Sequence, residues 1–408
     1  MAPPKKLVVS QLYTDKEMKA KKGTWITEDD IVHPVITKNT DVYRIDSQGN
    51  EVLLLKFRKR KIHDRLLEIG WNSYKDLAKA SRGRGASAGP ISADSDYWKK
   101  RTLMQTNKWS TSYVSPLGNK LKAEYEEMSP EQFVTLCIQN NIDMTLEKDQ
   151  QILQLVKQGG GISKMKVNNQ VASNPIGFYE SNKNFADLPC RLTHFTRTNF
   201  EKYNQGLPFI QRINELFKEL TPSAYAAQET RAHLKPHLTI PKTCFSTVTI
   251  NRNFRTEIHQ DAGDFKGGFG NLTVLEQGHY HGGYTCFPQY GVGINLRSGD
   301  FVAMDVHQWH GNTPMYETPE DKDYNKRIES SFHDNPAVGT AGLYTKYTRL
   351  SFVCYLREKI ANCSDTIDPR FLTKSGHNKI PLHEQEQEQG QEQEQEQDES
   401  KDTSISTL

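Results

Sequence analysis

Three side chains in the C-terminal half have the types and the spacing to hold a metal ion. His259-Gln260-Asp261 follows a β-prone run, and in extended chain residues i and i+2 share a face, so an imidazole and a carboxylate point together. His310 lies 51 residues further on, in Trp309-His310-Gly311-Asn312-Thr313-Pro314, which reads as a strand running out into a turn. It is the best third ligand, with His307 as its competitor. Two histidines and one carboxylate on one side of a metal suit Fe(II) and leave positions open for substrate and oxygen. An H-x-D triplet alone is common, and its ordinary reading is structural. Arg349-Leu350-Ser351 adds weight, because alternation places a guanidinium and a hydroxyl on one strand face. A guanidinium fork matches a carboxylate through two hydrogen bonds, and a neighbouring hydroxyl supplies a third, as anchoring a small dicarboxylate requires. The bland alternative is a surface ion pair. Asp264 either closes the turn after Asp261 or offers a second carboxylate near substrate or reductant. His279-Tyr280-His281 has an H-x-H spacing, but Gly278 and Gly282-Gly283 around it point to a loop with a structural or substrate-edge role.

The elements that must carry these residues are legible as changes in texture. Val42-Tyr43-Arg44-Ile45 and Glu51-Val52-Leu53-Leu54-Leu55 flank a Gly/Asn turn and read as a hairpin, giving a small N-terminal sheet. The run from Lys56 to Lys61 that follows is either a solvated strand end or a nuclear-localisation or phosphate-contacting patch. Arg82-Gly83-Arg84-Gly85 opens a loop, either a plain linker or a grip for phosphate or carboxylate. Ser129-Pro130 caps a helix carrying Phe133, Leu136 and Cys137. Helical periodicity recurs from Leu146 to Val156, stopped by Gly159-Gly160-Gly161, and through Phe209, Ile213, Leu216, Phe217 and Leu220, after which Thr221-Pro222 opens another helix. From Cys244 onward short β-rich runs begin near Ser246, Leu272, Gly291, Phe301 and Leu350, mostly separated by glycine-rich turns. That rhythm implies a sandwich or barrel with the earlier helices covering its outside.

Composition limits the alternatives. A chain of 408 residues with 35% hydrophobic and 25% charged residues can bury a substantial core, which excludes collagen, coiled coil and wholesale disorder. No run approaches the roughly 20 apolar residues that span a bilayer, and the N-terminus lacks a signal-peptide core, so the expectation is an intracellular soluble protein without a membrane partner. Six cysteines with no C-x-x-C pair are expected to be reduced, buried thiols. The Glu/Gln alternation from Glu384 to Gln397 cannot bury a core and reads as disordered. Without the acidic tail from Glu384 to Asp402, 51 basic residues stand against 41 acidic ones, a balance that suits a polyanion such as nucleic acid.

The order of H-x-D, distal His and R-x-S resembles the Fe(II)/2-oxoglutarate oxygenases. The stretch from Thr247 to Thr256, with His259, Asp261, Gly263-Asp264, Gly299-Asp300 and Met304 to Pro314, is similar to the TET/JBP branch, whose members oxidise the methyl group of thymine or 5-methylcytosine in nucleic acid. The likeness is close over about residues 240 to 357. It implies an α+β protein with a double-stranded β-helix (jelly-roll) core, flanked by N-terminal helices and the small N-terminal sheet. Residues 1–240 would form the helical and mixed region packed on the core, 241–360 the oxygenase core, and 361–408 a C-terminal extension. The resemblance further implies that His259, Asp261 and His310 bind Fe(II), that Arg349 pairs with the distal carboxylate of 2-oxoglutarate, and that Ser351 assists. O2 would be the other co-substrate, with ascorbate as a candidate reductant. The expected product is hydroxymethyl, with formyl and carboxyl as further stages. The expected partner is DNA rather than RNA, which places the protein in the nucleus or at a site of DNA replication. Two rivals remain at this stage: a 2-oxoglutarate-dependent hydroxylase of a protein side chain or small metabolite, and a silent nucleic-acid-binding module.

Overall fold

A computed structural model describes residues 3–77, 80–81, 116–158, 171–181, 189–328, 347–368 and 371–372. The Arg82-Gly83 loop, the Gly159 to Gly161 stop and the Glu/Gln tail lie outside these residues. Helices among the described residues are α1 (Asp15–Lys21), α2 (Asp64–Tyr74), α3 (Pro116–Glu127), α4 (Pro130–Gln139), α5 (Lys148–Gln158), α6 (His194–Thr198), α7 (Phe200–Leu220), α8 (Pro222–Ala232) and α9 (Pro319–Asn325). Strands are β1 (Lys5–Val9), β2 (Thr40–Ile45), β3 (Glu51–Arg58), β4 (Ala80–Ser81), β5 (Val171–Tyr179), β6 (Arg191–Leu192), β7 (Thr247–Arg252) and β8 (Gly270–Gln277). They continue with β9 (His281–Gly282), β10 (Thr285–Phe287), β11 (Val292–Ile294), β12 (Phe301–Met304), β13 (Gly311–Asn312), β14 (Met315–Tyr316) and β15 (Thr348–Tyr355). None of these helices is long and apolar enough to cross a membrane.

Contacts along the chain define two units, residues 1–90 with 168–408, and residues 91–167. In the smaller unit α4 starts as expected: Pro130 occupies the first turn, and the Ser129 hydroxyl accepts the Gln132 N–H in a reciprocal capping box. Its core is Phe133, Cys137, Ile142, Ile152, Leu155 and Val156.

The larger unit is mixed α+β, built on one ten-stranded sheet in the order β1-β2-β3-β12-β8-β15-β7-β5-β4, with β6 paired to β5. A three-stranded sheet (β11-β10-β13) and a two-stranded ribbon (β14-β9) complete it. The N-terminal hairpin is a correction to the expected small sheet, because β3 also pairs antiparallel with β12 and so extends the large sheet. Leu55 and Phe57 of β3 join Val302 and Met304 of β12 in one core, and that shared burial favours a joined sheet over a free edge. Much of the basic run is paired inside this fold: Arg58 and Lys56 with Asp41 at 2.6 and 3.7 Å, Lys59 with Asp300 at 2.7 Å, and Lys61 with Glu219 at 3.9 Å, while Arg60 is exposed.

Each face of the large sheet has its own core. On one, Leu350, Phe352 and Cys354 of β15 meet Phe209, Ile213, Leu216 and Phe217 of α7 and Tyr74 of α2. Ring centroids of Phe352 lie 5.0 Å from Phe209 and 5.9 Å from Tyr74. On the other, Leu272, Val274 and Val302 meet Phe287, Val292 and Ile294 of the three-stranded sheet. Arg349, Ser351 and Val353 alternate with the helix-facing residues and therefore face the three-stranded sheet.

The cysteines correct a second expectation. Cys137, Cys244, Cys286 and Cys354 are buried free thiols, but Cys190 and Cys363 form a disulfide. They are 173 residues apart, and only the packing of Phe178, Leu192, Leu238 and Ile360 brings them together, so local spacing carries no sign of the pair.

The closest helix contact is testable. Tyr74 lies over Gly206 of α7 and donates to the Tyr203 carbonyl at 3.1 Å, and a Cβ at Gly206 would sit 2.2 Å from the Tyr74 ring. Gly206→Ala is expected to destabilise the fold by about 1–3 kcal/mol, since the ring is buried and cannot step aside. The readout is a lower denaturation midpoint at unchanged m-value; an unchanged midpoint would show that the contact yields.

Candidate active site

The site begins where β7 leaves the large sheet. Asn253 takes φ 47, a left-handed conformation that asparagine tolerates better than most residues. Its N–H donates to the Arg349 carbonyl (2.9 Å), its Oδ1 accepts the Arg349 N–H (2.6 Å), and its Nδ2 donates to the Tyr347 carbonyl (3.1 Å). One residue thus ends β7 and fixes the start of β15. The chain then returns antiparallel to the segment before β13: His259 and His310 exchange two backbone hydrogen bonds, of 3.0 and 2.9 Å, and Asp261 N–H donates to Val306 O at 3.1 Å. Further backbone bonds, Phe265 N–H to Leu356 O (2.8 Å) and Glu358 N–H to Gly263 O (2.9 Å), tie the following turn to the end of β15.

Those pairings bring His259, Asp261 and His310 together, with one ligand atom from each lying within 4.8 Å of the others. The Asp261 oxygens are 3.5 Å from His259 Nε2 and 3.7 Å from His310 Nε2, longer than good hydrogen bonds, so the groups converge without consuming one another's lone pairs. Each imidazole has its Nδ1 against the carbonyl two residues earlier, His259 on Glu257 (2.7 Å) and His310 on Gln308 (2.9 Å). A carbonyl can only accept, so Nδ1 carries the proton and Nε2 presents its lone pair, the tautomer a metal needs. Burial, reinforced by the neighbouring His259, pushes the His310 pKa down to about 4, while Asp261 acts in the opposite direction, so this ring is neutral at physiological pH. Two imidazoles that turn Nε2 toward a shared carboxylate are a donor set that fits Fe(II).

Arg349 is 3% exposed, and its guanidinium has no ion pair or side-chain hydrogen bond among the described residues. A buried, always-charged group with unmet donors is costly unless a ligand meets them, and an anion such as a carboxylate is the natural complement. Ser351, on the same face, accepts from Asn251 Nδ2 at 3.3 Å, and Asn251 Oδ1 accepts from Ser173 Oγ at 2.5 Å. That chain orients Ser351 so that its own hydroxyl proton is left to donate.

Other candidates take structural places. His307 lies outside the cluster, with Nε2 3.4 Å from the Phe265 carbonyl. Asp264 is buried and bridges to Arg357 in the turn that follows Asp261. His279 stacks on Tyr324 (3.7 Å) and His281 lies 3.1 Å from Asp321, so the H-x-H motif is absorbed by β9 and α9. Sequence reasoning missed Asn253, Asn251 and the two orienting carbonyls. Backbone acceptors leave no trace in residue type, and the asparagines acquire roles only through strand register.

Comparison with known proteins gives a likeness over part of the chain. Residues 174–358 match the Tet_JBP family, described as an oxygenase domain of the 2OGFeDO superfamily. The chain is 35% identical over 142 residues to the bifunctional helicase and thymine dioxygenase JBP2 of Trypanosoma cruzi, covering 35% of this chain and 13% of that protein. It is 30% identical over 173 residues to thymine dioxygenase JBP1 of Leishmania major, covering 42% of this chain and 21% of that protein. The matches therefore span about a fifth or less of these relatives' length. A solved complex of NgTET1 with 5mC DNA aligns over 86% of this chain and 94% of its own at 9% identity and a TM-score of 0.38, too low to weigh in the argument.

Asn253 gives the test of this local geometry. Asn253→Ala removes both buried side-chain bonds and keeps the left-handed strain, for an expected loss of about 1–3 kcal/mol in chemical denaturation. Asn253→Gly loses the same bonds but also relieves the strain, and should be less damaging than alanine by about 1 kcal/mol. Equal losses would refute the conformational part of the argument.

Proposed function

We propose, from the match of residues 174–358 to the Tet_JBP family, that this chain is an Fe(II)/2-oxoglutarate-dependent dioxygenase that oxidises the methyl group of thymine in DNA. 5-Methylcytosine is the alternative base. The observation that carries the reading is the convergence of His259 Nε2, Asp261 and His310 Nε2, with both imidazoles turned into the ligating tautomer by backbone carbonyls. Thymine is favoured over 5-methylcytosine by the relatives named thymine dioxygenases.

His259, Asp261 and His310 would hold the iron, while Arg349 and the Ser351 hydroxyl would take the distal carboxylate of 2-oxoglutarate. The bound metal and co-substrate supply, with O2, the power to oxidise an unactivated C–H bond. The protein's part is positional. Asn253 fixes the strand start that carries Arg349, and Asn251 turns the Ser351 hydroxyl toward the same side. Apolar side chains between the two sheets, among them Phe287, Val274 and Val302, line the core beside the site and exclude water. We read the large and three-stranded sheets as the two walls of a double-stranded β-helix, because the triad leads into β13 on one wall and Arg349 stands on the other. In this reading residues 241–360 carry the catalytic strands, and β1–β3 and β5 from the first 240 residues widen their sheet. Residues 361–408 remain an extension.

A methyl group inside a stacked duplex cannot reach such a site, so duplex DNA would present its base flipped out, at a cost of a few kcal/mol. Basic residues gripping flanking phosphates would offset that cost and make binding steeply salt-dependent. A DNA substrate places the protein in the nucleus or at sites of DNA replication, and ascorbate would serve as reductant.

The test is incubation with Fe(II), 2-oxoglutarate and ascorbate on thymine-containing and 5-methylcytosine-containing DNA, followed by nucleoside mass spectrometry. Hydroxymethyl product with matching succinate is expected, and neither product on any DNA would overturn the reading. His259→Ala or Asp261→Ala should cut turnover at least about 100-fold while leaving thermal stability largely intact, because the ligands contribute little to the core. Arg349→Met should chiefly raise the 2-oxoglutarate KM, by about 10- to 100-fold.

A further inference from the structure

Glu276 of β8 stands directly opposite Arg349 of β15. Side chains so paired share a face, with Cβ atoms about 5 Å apart. A carboxylate in that position is a ready partner for the guanidinium, and an ion pair between them would close Arg349 to an anionic ligand. The acid is held elsewhere. Its Oε1 accepts from the Tyr280 hydroxyl and from Arg297 Nη1 (3.3 Å), and its Oε2 accepts the Ser298 N–H at 2.6 Å. Arg297 is itself pinned on every side: Nε donates to Asn295 Oδ1 (2.6 Å), Nη2 donates to the Gly282 carbonyl (3.2 Å), and the guanidinium lies 4.2 Å over the Tyr280 ring. Tyr280 in turn stacks on Tyr347, two residues before Arg349. The cluster contains two arginines and one acid, and the acid is bonded to Arg297 rather than to Arg349.

We propose that Arg297 is a positioning residue for the co-substrate: by drawing Glu276 aside, it keeps the Arg349 guanidinium available for the distal carboxylate of 2-oxoglutarate. This rests on the function proposed above. Removing Arg297 takes the countercharge from Glu276 and leaves it only the Tyr280 hydroxyl and the Ser298 N–H, so the uncompensated carboxylate is drawn to Arg349 and competes with the co-substrate for the same donors. Removing the acid as well abolishes that competition, although the packing of Arg297 stays lost. A purely structural role for Arg297 has no such rescue.

The experiment is anaerobic calorimetric titration of 2-oxoglutarate into the Fe(II)-loaded full chain, for wild type, Arg297→Met, Glu276→Gln and the double variant, with KM and kcat measured alongside. Arg297→Met should bind 2-oxoglutarate about 10- to 100-fold more weakly and raise KM by a similar factor, with kcat within about 2-fold of wild type. Glu276→Gln and the double variant should both bind within about 3-fold of wild type. Arg297→Gln, which keeps a donor for Asn295 and Gly282 without the charge, carries the same expectation should Arg297→Met fail to fold. Wild-type affinity in the Arg297 variants, or a double variant as weak as Arg297→Met, overturns the proposal. Failure of the wild-type protein to bind 2-oxoglutarate instead removes the function on which it rests.

Discussion

Two backbone hydrogen bonds between His259 and His310 are the constraint on which the site depends. They join stretches 51 residues apart, and each histidine contributes to the bridge with its main chain while its ring turns toward Asp261. Because backbone holds backbone, the side chains are left to present lone pairs. The carbonyls of Glu257 and Gln308 complete the arrangement by fixing both tautomers. The candidate metal site is therefore set by main-chain geometry, and its orienting partners need no particular side chain.

A second constraint is the register of β15. Leu350, Phe352 and Cys354 bury against α2 and α7, and this forces Arg349 and Ser351 onto the face turned toward the three-stranded sheet. A slip of one residue would put a guanidinium into the helix-side core and a phenyl ring into the site, so the same burial that stabilises the sheet also aims the anchor. Asn253 joins the two constraints, ending β7 and holding the first residues of β15 through both its backbone and its side chain. Arg349 is then a buried cation maintained at some cost, which is sensible where a ligand supplies the missing anion.

How much of this was legible in the residues depends on the range of the interaction. Short β-rich runs between glycine-rich turns located β7, β8, β12 and β15, helical spacing located α7, and the Thr221-Pro222 start located α8, because these signals are written over neighbouring residues. The H-x-D, distal histidine and R-x-S residues were legible as types with a chemistry. Their convergence was expected, and the structure brings His259, Asp261 and His310 together, whereas the pairing of segments that achieves it depends on which strands become neighbours. Pairing of β3 with β12 and the Cys190–Cys363 disulfide were missed for that reason, as both join segments far apart in the chain. The basic run had two readings, a solvated strand end or a phosphate-contacting patch, and neither shows that Asp41, Asp300 and Glu219 arrive from other elements to pair with it.

The central claim is that one ferrous ion and one keto-diacid share this site, held by side chains from separate stretches of chain. A crystal structure of the protein grown anaerobically with Fe(II) and 2-oxoglutarate tests it most directly. The account predicts one metal ion bonded to His259 Nε2, an Asp261 oxygen and His310 Nε2, with the distal carboxylate of 2-oxoglutarate on the Arg349 guanidinium and the Ser351 hydroxyl. Metal bound elsewhere, or a co-substrate that leaves Arg349 without an anion, would contradict it.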